Sequence, residues 1–179
     1  TAIFLIPIAL AIKIESPGPL IFSQKRVGWM SRRFKIYKFR TMVSDAESRK
    51  HEVNNEASGA IFKCKNDHRI TRVGQFLRKM SLDELPQFWN VLEGSMSLVG
   101  TRPPTQDELE QYNVPHWQRL DVKPGITGEW QVNGRSSVKN FEDIIQLDLD
   151  YQNKWNLWYD FKLMFKTIGV IFSKDSGAM

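Results

Sequence analysis

The segment RKMSLDELPQFWNVLEG, residues 78–94, places two adjacent carboxylates, Asp83 and Glu84, between a basic pair and an apolar helical pattern. Ser81 and Glu84 have the spacing of a capping box, in which Ser or Thr and a Glu three residues later satisfy the first backbone N–H groups of a helix. The helix dipole also favours acidic side chains there. The segment therefore predicts a helix that follows the acid pair, and it leaves open whether the acids cap that helix or perform chemistry.

The composition favours one folded domain with an anionic partner. The chain has 179 residues, of which 41% are hydrophobic and 25% charged, close to the average for globular domains. The net charge is +5 at pH 7, which points to phosphorylated ligands, anionic lipid or nucleic acid. The single cysteine, Cys64, cannot form an internal disulfide, and this favours a reducing, cytoplasmic environment.

The pattern of apolar residues predicts an α/β fold that is mostly helical with a few short strands. Strands are expected on both sides of Gly28 within residues 20–42, in residues 96–104 and in the glycine-rich loop 123–135. Helices are expected over residues 44–56, 67–80, 85–93, 105–120 with an interruption at Pro115, 138–152 and 156–172. Asp67 is expected to cap the second of these helices, and Gly94 to end the third.

Two apolar segments could contact a membrane. The chain begins at Thr1 inside the run TAIFLIPIALAI, which is shorter than the roughly 20 residues of a membrane span and contains a helix-kinking proline, Pro7. A short, kinked helix could enter a membrane and return, whereas the alternatives are a core helix or the end of a spanning helix. The last predicted helix is rich in Trp, Tyr and Phe, which suits either a core or the headgroup layer.

The surroundings of the acid pair favour phosphoryl-transfer chemistry. A carboxylate can attack phosphorus and form an acyl phosphate, and a neighbouring carboxylate can hold Mg²⁺. Such a site also needs fixed cations to neutralise phosphate charges. Four segments supply them: KFRTM, LRKM, TRPP and NGR. Together they suit a diphosphate substrate, although each basic segment alone could be a solvated surface.

Other chemistries find less support in the sequence. The three histidines, His51, His68 and His116, do not have the spacing of zinc ligands, and no Walker loop, dinucleotide fingerprint or nucleophile elbow occurs. The segment RRFKIYKF, residues 32–39, interleaves basic and aromatic residues as single-strand nucleic-acid binders do. The main alternative to an enzyme is therefore a non-catalytic basic module that binds a membrane surface or nucleic acid.

Five segments of the chain together are similar to one known family. They are SPGPLIFSQKRVG, FKIYKFRTM, SLDELPQFWNVLEGSMSLVGTRPP, KPGITGEWQVNGR and LDLDYQNKWNLWYDFKLMFKTI. In this order the chain resembles the bacterial sugar transferases, the monotopic polyprenyl-phosphate phosphoglycosyl transferases, and among them the glucose- and galactose-phosphate transferases. Two positions depart from the family pattern, since Ile6 replaces the usual Ser before Pro7 and Thr101 replaces the first proline of a Pro-Arg-Pro turn.

The resemblance implies transfer of hexose 1-phosphate from a UDP-hexose to undecaprenyl phosphate, the first step of exopolysaccharide, capsule or O-antigen assembly. Asp83 would attack the β-phosphate, release UMP and carry the sugar phosphate, while Glu84 would ligate Mg²⁺. Two successive displacements predict ping-pong kinetics. The resemblance assigns substrate binding to Lys38, Arg40, Arg78, Arg102, Pro103 and Arg135.

The resemblance also implies a place at the membrane. Residues 1–14 would be the C-terminal half of a re-entrant membrane helix whose first half would precede Thr1, and residues 15–179 the catalytic domain on the cytoplasmic face of the bacterial inner membrane. Expected partners are UDP-hexose, undecaprenyl phosphate and the lipid bilayer, and not nucleic acid. The sequence neither requires nor excludes a homodimer, and it does not specify the hexose.

Overall fold

The computed structural model describes residues 2–64, 66–133, 138 and 140–172, and it is a mixed α/β fold, about half helical, with short strands. The α-helices are α1 (Ala2–Glu15), α2 (Arg72–Lys79), α3 (Gln87–Leu92), α4 (Gln106–Leu109), α5 (Val114–Trp117), α6 (Glu129–Asn133), α7 (Phe141–Lys154) and α8 (Leu157–Phe172). The strands are β1 (Ile21–Val27), β2 (Arg33–Phe39), β3 (Ser97–Val99) and β4 (Gly125–Thr127). Short 3₁₀ helices span Trp29–Ser31, Lys50–Glu52, Leu82–Glu84 and Gln118–Leu120. The predicted α/β fold class is confirmed.

Strands β1 and β2 form the antiparallel hairpin that the sequence predicts around Gly28. The register runs from Ile21 opposite Phe39 to Val27 opposite Arg33. The turn is unusual because Met30 and Ser31 both have positive φ, a region that residues other than glycine seldom adopt. The hairpin carries Lys38 and leads into Arg40, and it therefore positions part of the candidate site.

Strands β3 and β4 form a parallel pair although 25 residues separate them, so α4 and α5 belong to the connection between them. Two glycines permit the close approach of their backbones. A Cβ atom on Gly100 would lie 2.2 Å from the carbonyl oxygen of Lys123, and one on Gly125 would lie 2.1 Å from the backbone nitrogen of Gly100. The glycines of the VGT and PGIT segments are therefore required by packing.

The apolar core consists of several small clusters. One of them joins α1, β2 and α2 through Ile12, Phe39 and Leu77. Another joins the loop before α2 to α7 through residues such as Ile61 and Ile144. Helices α7 and α8, which the sequence predicts correctly, thus close the C-terminal half of the domain.

In residues 44–80 the structure differs from the prediction in two features. Residues 44–56 form turns and one 3₁₀ helix instead of an α-helix, because side chains there bond the local backbone; Ser48 Oγ, for example, donates to the carbonyl oxygen of Asp45. Asp67 does not cap α2. Thr71 is the cap, since its hydroxyl accepts the N–H of Gly74 at 2.9 Å, while Asp67 pairs with Arg69.

Two further differences lie in the second half of the chain. The predicted interruption at Pro115 exists, but it precedes the proline: α4 ends at Leu109, and Pro115 lies in the first turn of α5, where its missing N–H costs nothing. Within residues 123–135 the strand is confirmed, whereas α6 is an additional helix that the glycine-rich pattern does not predict.

Helix α1 continues through Pro7 and packs on α2. Ile12 on one side of α1 is buried, while Ile6, Leu10 and Ile14 are exposed. Within the described ranges, no helix is both long enough and apolar enough to cross a bilayer. The re-entrant helix and the division into residues 1–14 and 15–179 stay predictions.

Candidate active site

The acid pair lies in the 3₁₀ helix Leu82–Glu84, between α2 and α3. Ser81 precedes it with a left-handed backbone (φ 53°), and its side chain makes no capping hydrogen bond. The predicted capping box is therefore not formed at this position. A true capping box occurs instead at Thr105 and Glu108, which begin α4. Because Asp83 is only 6% exposed, the structure holds this carboxylate largely away from water without using it as a cap.

Two of the predicted cations lie beside the acids. Lys38, near the end of β2, places its Nζ 2.8 Å from Glu84 Oε1. Arg78, in the last turn of α2, donates from Nε to Thr41 Oγ1 at 2.9 Å. Burial lowers the pKa of Arg78, and the charge of Asp83 opposes that shift. The structure thus brings four predicted site residues into one cluster, which we call the acid site: Lys38, Arg78, Asp83 and Glu84.

Arg40 is buried and binds the turn that follows α1. Its Nη1 donates to the carbonyl oxygen of Pro17 at 2.7 Å, and its Nη2 donates to that of Ser16 at 2.6 Å. A Cβ atom on Gly18 would lie 2.8 Å from Nη1, so the turn closes tightly around the guanidinium. Arg40 therefore joins the apolar helix to the end of β2, and its predicted contact with substrate stays a prediction.

Arg102 and Pro103 belong to a second group of interacting residues. Glu108 accepts two hydrogen bonds from Arg102, at 2.9 and 3.0 Å, and Arg26 donates to the carbonyl oxygen of Pro103 at 3.0 Å. Burial, with the nearby charge of Arg102, lowers the pKa of Arg26 to about 10. Although burial raises the pKa of Glu108, the charge and hydrogen bonds of Arg102 outweigh it and hold that pKa below its usual value. We call this group the arginine cluster.

The hairpin separates the arginine cluster from the acid site. Arg26 lies opposite Phe34, and Lys38 follows four residues later on β2. At about 3.3 Å per residue, the backbone positions of Phe34 and Lys38 are roughly 13 Å apart along β2. Among the described residues, the ion pair and side-chain hydrogen bonds of Arg102 and the bond to Pro103 lie in the arginine cluster and not at the acid pair. Arg135 lies outside the described residues.

Sequence reasoning missed Asn90, which aligns the acid site. This residue of α3 is fully buried; its Oδ1 accepts the backbone N–H of Tyr37 at 3.1 Å, and its Nδ2 donates to the carbonyl oxygen of Lys35 at 2.7 Å. Asn90 therefore fixes α3 against the edge of β2. A signal for this role was present, because an amide within the apolar pattern FWNVL needs hydrogen-bond partners if it is buried.

The acid site fits a magnesium ion that is shared with a substrate. Among the described residues, no group of three or more His, Cys, Asp and Glu side chains could hold a metal. Mg²⁺ in phosphoryl-transfer sites is usually held by one or two carboxylates together with substrate phosphates and water. Glu84 offers one such carboxylate beside Asp83, so an ion held there would need the substrate's phosphates to complete its ligands.

Comparison with known proteins identifies similar chains. A sequence profile described as bacterial sugar transferase matches residues 1–174. The chain is 52% identical over 172 residues to the galactosyl transferase CpsE of Streptococcus agalactiae, covering 95% of this chain and 37% of that protein. It is 46% identical to the undecaprenyl-phosphate galactose phosphotransferase of Salmonella typhimurium, over 88% of this chain and 34% of that protein.

The name of a third relative specifies glucose instead of galactose. The chain is 43% identical to the UDP-glucose:undecaprenyl-phosphate glucose-1-phosphate transferase of Escherichia coli, over 90% of this chain and 34% of that protein. The chain thus spans about a third of the length of these relatives. Galactose and glucose both occur among their substrates, so similarity alone does not specify the hexose.

Proposed function

Because the chain belongs to the bacterial sugar transferase family, we propose that it transfers hexose 1-phosphate from a UDP-hexose to undecaprenyl phosphate and releases UMP. The names of the relatives support this substrate pair. The single observation that carries the proposal is the acid site, where a nearly buried Asp83 lies beside a second carboxylate and two cations.

The proposed reaction has two displacements on phosphorus. A carboxylate oxygen of Asp83 attacks the β-phosphorus of the UDP-hexose, and the bond from that phosphorus to the bridging oxygen breaks, so that UMP leaves with the electron pair. Asp83 is then an acyl phosphate that carries the hexose. A phosphate oxygen of undecaprenyl phosphate next attacks the same phosphorus, which frees the carboxylate and forms undecaprenyl diphosphate hexose.

The neighbouring side chains suit this chemistry. Arg78 is held by Thr41 and by the fold around it, so its charge is already in place when a phosphate arrives. Lys38 forms an ion pair with Glu84 and offsets its charge. Glu84 would hold Mg²⁺ together with the phosphates, and the ion would supply positive charge for the leaving UMP.

The lipid acceptor implies a membrane location. Removing a polyprenyl chain from hydrocarbon costs about 0.8 kcal/mol for each CH₂, so the acid site has to work at the bilayer surface. Exposed apolar residues of α1 are the proposed anchor, and Arg40 ties the end of that helix to β2. In the proposed arrangement residues 1–14 are embedded on the cytoplasmic side of the inner membrane, and the rest of the chain lies on that side.

The test of the proposal is covalent labelling. The protein is incubated with UDP-glucose or UDP-galactose labelled with ³²P at the β-phosphate, with Mg²⁺ and without lipid. We expect label on the protein that undecaprenyl phosphate or hydroxylamine removes, and that Asp83→Asn abolishes. Asp121→Asn, at an exposed acid elsewhere, should label like the wild type.

Two results would contradict the proposal. Label that persists in Asp83→Asn would mean that another group is the nucleophile. Release of UMP with lipid present, but with no label at any time before lipid is added, would exclude the covalent intermediate.

A further inference from the structure

The exposed face of the β1–β2 hairpin is basic. Lys25, Arg33 and Lys35 are all exposed, and they lie on the same side of the two strands. Lys25 is directly opposite Lys35, and Arg33 is the next outward residue on β2. Like charges in directly opposed positions of an antiparallel pair destabilise the pairing. A partner of opposite charge would relieve this repulsion.

The part of the chain that the structure describes provides no such partner. Among the residues it describes, Lys25, Arg33 and Lys35 form no ion pair with a carboxylate. Arg32 and Lys123, at the tip of the hairpin, are likewise exposed and without an ion pair in that part of the chain. Three cations thus share one side of the hairpin and two more lie near Trp29 at its tip, and we call these five cations the basic face.

The tip of the hairpin adds exposed apolar side chains. Trp29 is 39% exposed and Met30 is 65% exposed. The Arg32 guanidinium carbon and the Lys123 Nζ each lie 5.9 Å from the centroid of the Trp29 ring. A tryptophan beside cations, with one side open to solvent, is typical of the headgroup layer of a bilayer.

The base of the hairpin is apolar as well. Ile21 and Phe22 are exposed there, and the hairpin follows α1, whose Ile6 and Leu10 are also exposed. Apolar residues thus flank the basic face at both ends. This arrangement matches a surface that places charges among anionic headgroups and apolar side chains slightly deeper.

Single-stranded nucleic acid fits the same face poorly. Such ligands need aromatic rings that are open for base stacking. The aromatic residues of the segment RRFKIYKF do not offer them, since Phe39 is buried and Phe34 and Tyr37 are half-buried. The aromatic residues of this segment therefore offer few open rings for base stacking, and the nucleic-acid alternative becomes an outcome of the test below.

We propose that the basic face binds the anionic headgroups of a bilayer, with Trp29 and Met30 inserted at the level of the headgroups. This contact is separate from the acid site and from the proposed anchor in α1, and it does not depend on the transfer reaction. Its role would be to orient the catalytic domain on the membrane.

The experiment measures vesicle binding by the full chain without substrate. Vesicles of phosphatidylcholine alone are compared with vesicles containing phosphatidylglycerol, using wild type and the triple variant Lys25→Gln/Arg33→Gln/Lys35→Gln. Because each Lys or Arg near an anionic surface contributes about a fivefold gain in partitioning, we expect about a 100-fold loss on the anionic vesicles. Added salt should weaken wild-type binding to anionic vesicles and change that of the variant little.

A matched control removes the same net charge elsewhere, with Arg49→Gln/Lys50→Gln/Lys154→Gln, and should lose much less. A fluorescent probe attached at Ser31→Cys, in a Cys64→Ser background, reports whether the tip of the hairpin is in water or in the headgroup layer. This readout remains informative even if α1 keeps every variant bound to the vesicle. We expect a blue shift that requires phosphatidylglycerol and is lost in the Lys25/Arg33/Lys35 variant.

Three outcomes would overturn the proposal. The first is an equal loss of vesicle binding in both triple variants, and the second is a probe that stays in water on anionic vesicles. The third is a Lys25/Arg33/Lys35 variant that keeps its binding to vesicles and loses binding only to polyglutamate or to a single-stranded oligonucleotide. The last outcome would show that the partner is a polyanion in solution.

Discussion

Lys38 and Glu84 are 46 positions apart in the chain, and their charged atoms are 2.8 Å apart in the acid site. Both side chains are partly exposed, and an ion pair of this kind contributes at most about 1 kcal/mol to stability. Its importance is therefore geometric, because it fixes where the Glu84 carboxylate lies relative to Asp83. At the residue scale, the proposed function depends on this placement.

Glu84→Gln tests the role of that carboxylate. An amide is a weaker ligand for Mg²⁺, so the Mg²⁺ concentration for half-maximal UMP release should rise at least tenfold. Titrating Mg²⁺ in the UMP-release assay measures this. Glu110→Gln, at an exposed acid elsewhere in the chain, should leave the Mg²⁺ requirement unchanged. An unaltered Mg²⁺ requirement in Glu84→Gln would remove Glu84 from the proposed metal site.

Helix α2 is the element that positions Arg78, and three contacts fix it. Thr71 caps its first turn, and the Glu15 carboxylate at the end of α1 accepts the backbone N–H groups of Arg72 and Val73. In its first turn, Gly74 lies so close to the segment that follows β2 that a Cβ atom would be 2.0 Å from the carbonyl oxygen of Thr41. The helix therefore needs glycine at this position, although glycine is a poor helix former.

Gly74→Ala and Gly169→Ala should have opposite effects on stability. Alanine is favoured over glycine within a helix by about 1 kcal/mol. At Gly169 in α8 a Cβ atom meets nothing within 4 Å, so we expect a gain of up to about that amount. At Gly74 the clash with backbone should outweigh the propensity and lower the free energy of unfolding by about 1–3 kcal/mol.

Urea unfolding of both variants measures the difference. The displacement of α2 should also move Arg78 and reduce UMP release in Gly74→Ala, with little change in Gly169→Ala. If Gly74→Ala were as stable as the wild type, the close packing of α2 on Thr41 would be wrong.

At the scale of the whole molecule, Arg119 joins parts of the chain that are distant in sequence. It forms a buried ion pair with Asp148 of α7, donates to the Tyr112 hydroxyl at 2.7 Å, and donates to the carbonyl oxygen of Arg102 at 3.1 Å. Both partners of the ion pair are almost inaccessible to water. The buried Arg119–Asp148 ion pair therefore links the arginine cluster to helix α7.

Arg119→Met should lower the free energy of unfolding by about 3–5 kcal/mol, because it leaves the Asp148 charge buried without its partner. The double variant Arg119→Met/Asp148→Leu should recover most of this loss, since it removes both charges and keeps apolar volume. Urea unfolding of the wild type, both single variants and the double variant gives the coupling energy. Additive losses in the double variant would show that the pair does not act as a unit.

The local pattern of residues determined much of the fold. The hairpin around Gly28 and the helices α7 and α8 could be predicted, because each depends on apolar spacing and turn residues within its own segment. Helix α6 could not be predicted, since its five residues follow a glycine-rich strand and are stabilised by contacts with α7 and α8. The helix predicted over residues 44–56 was wrong for a related reason. This segment has no apolar stripe, so local side-chain hydrogen bonds determine its conformation.

The sequence by itself also identified the family and the acid pair, because these depend on residue types in a fixed order. Only the tertiary structure decided which cations accompany the acids. It placed Lys38 and Arg78 beside Asp83 and Glu84, and it placed Arg102 and Pro103 in a second cluster near the opposite end of β2. The physical reason is that charges act through distances in space, and those distances are determined by how the hairpin packs against α2 and α3, which residue spacing in the chain does not specify.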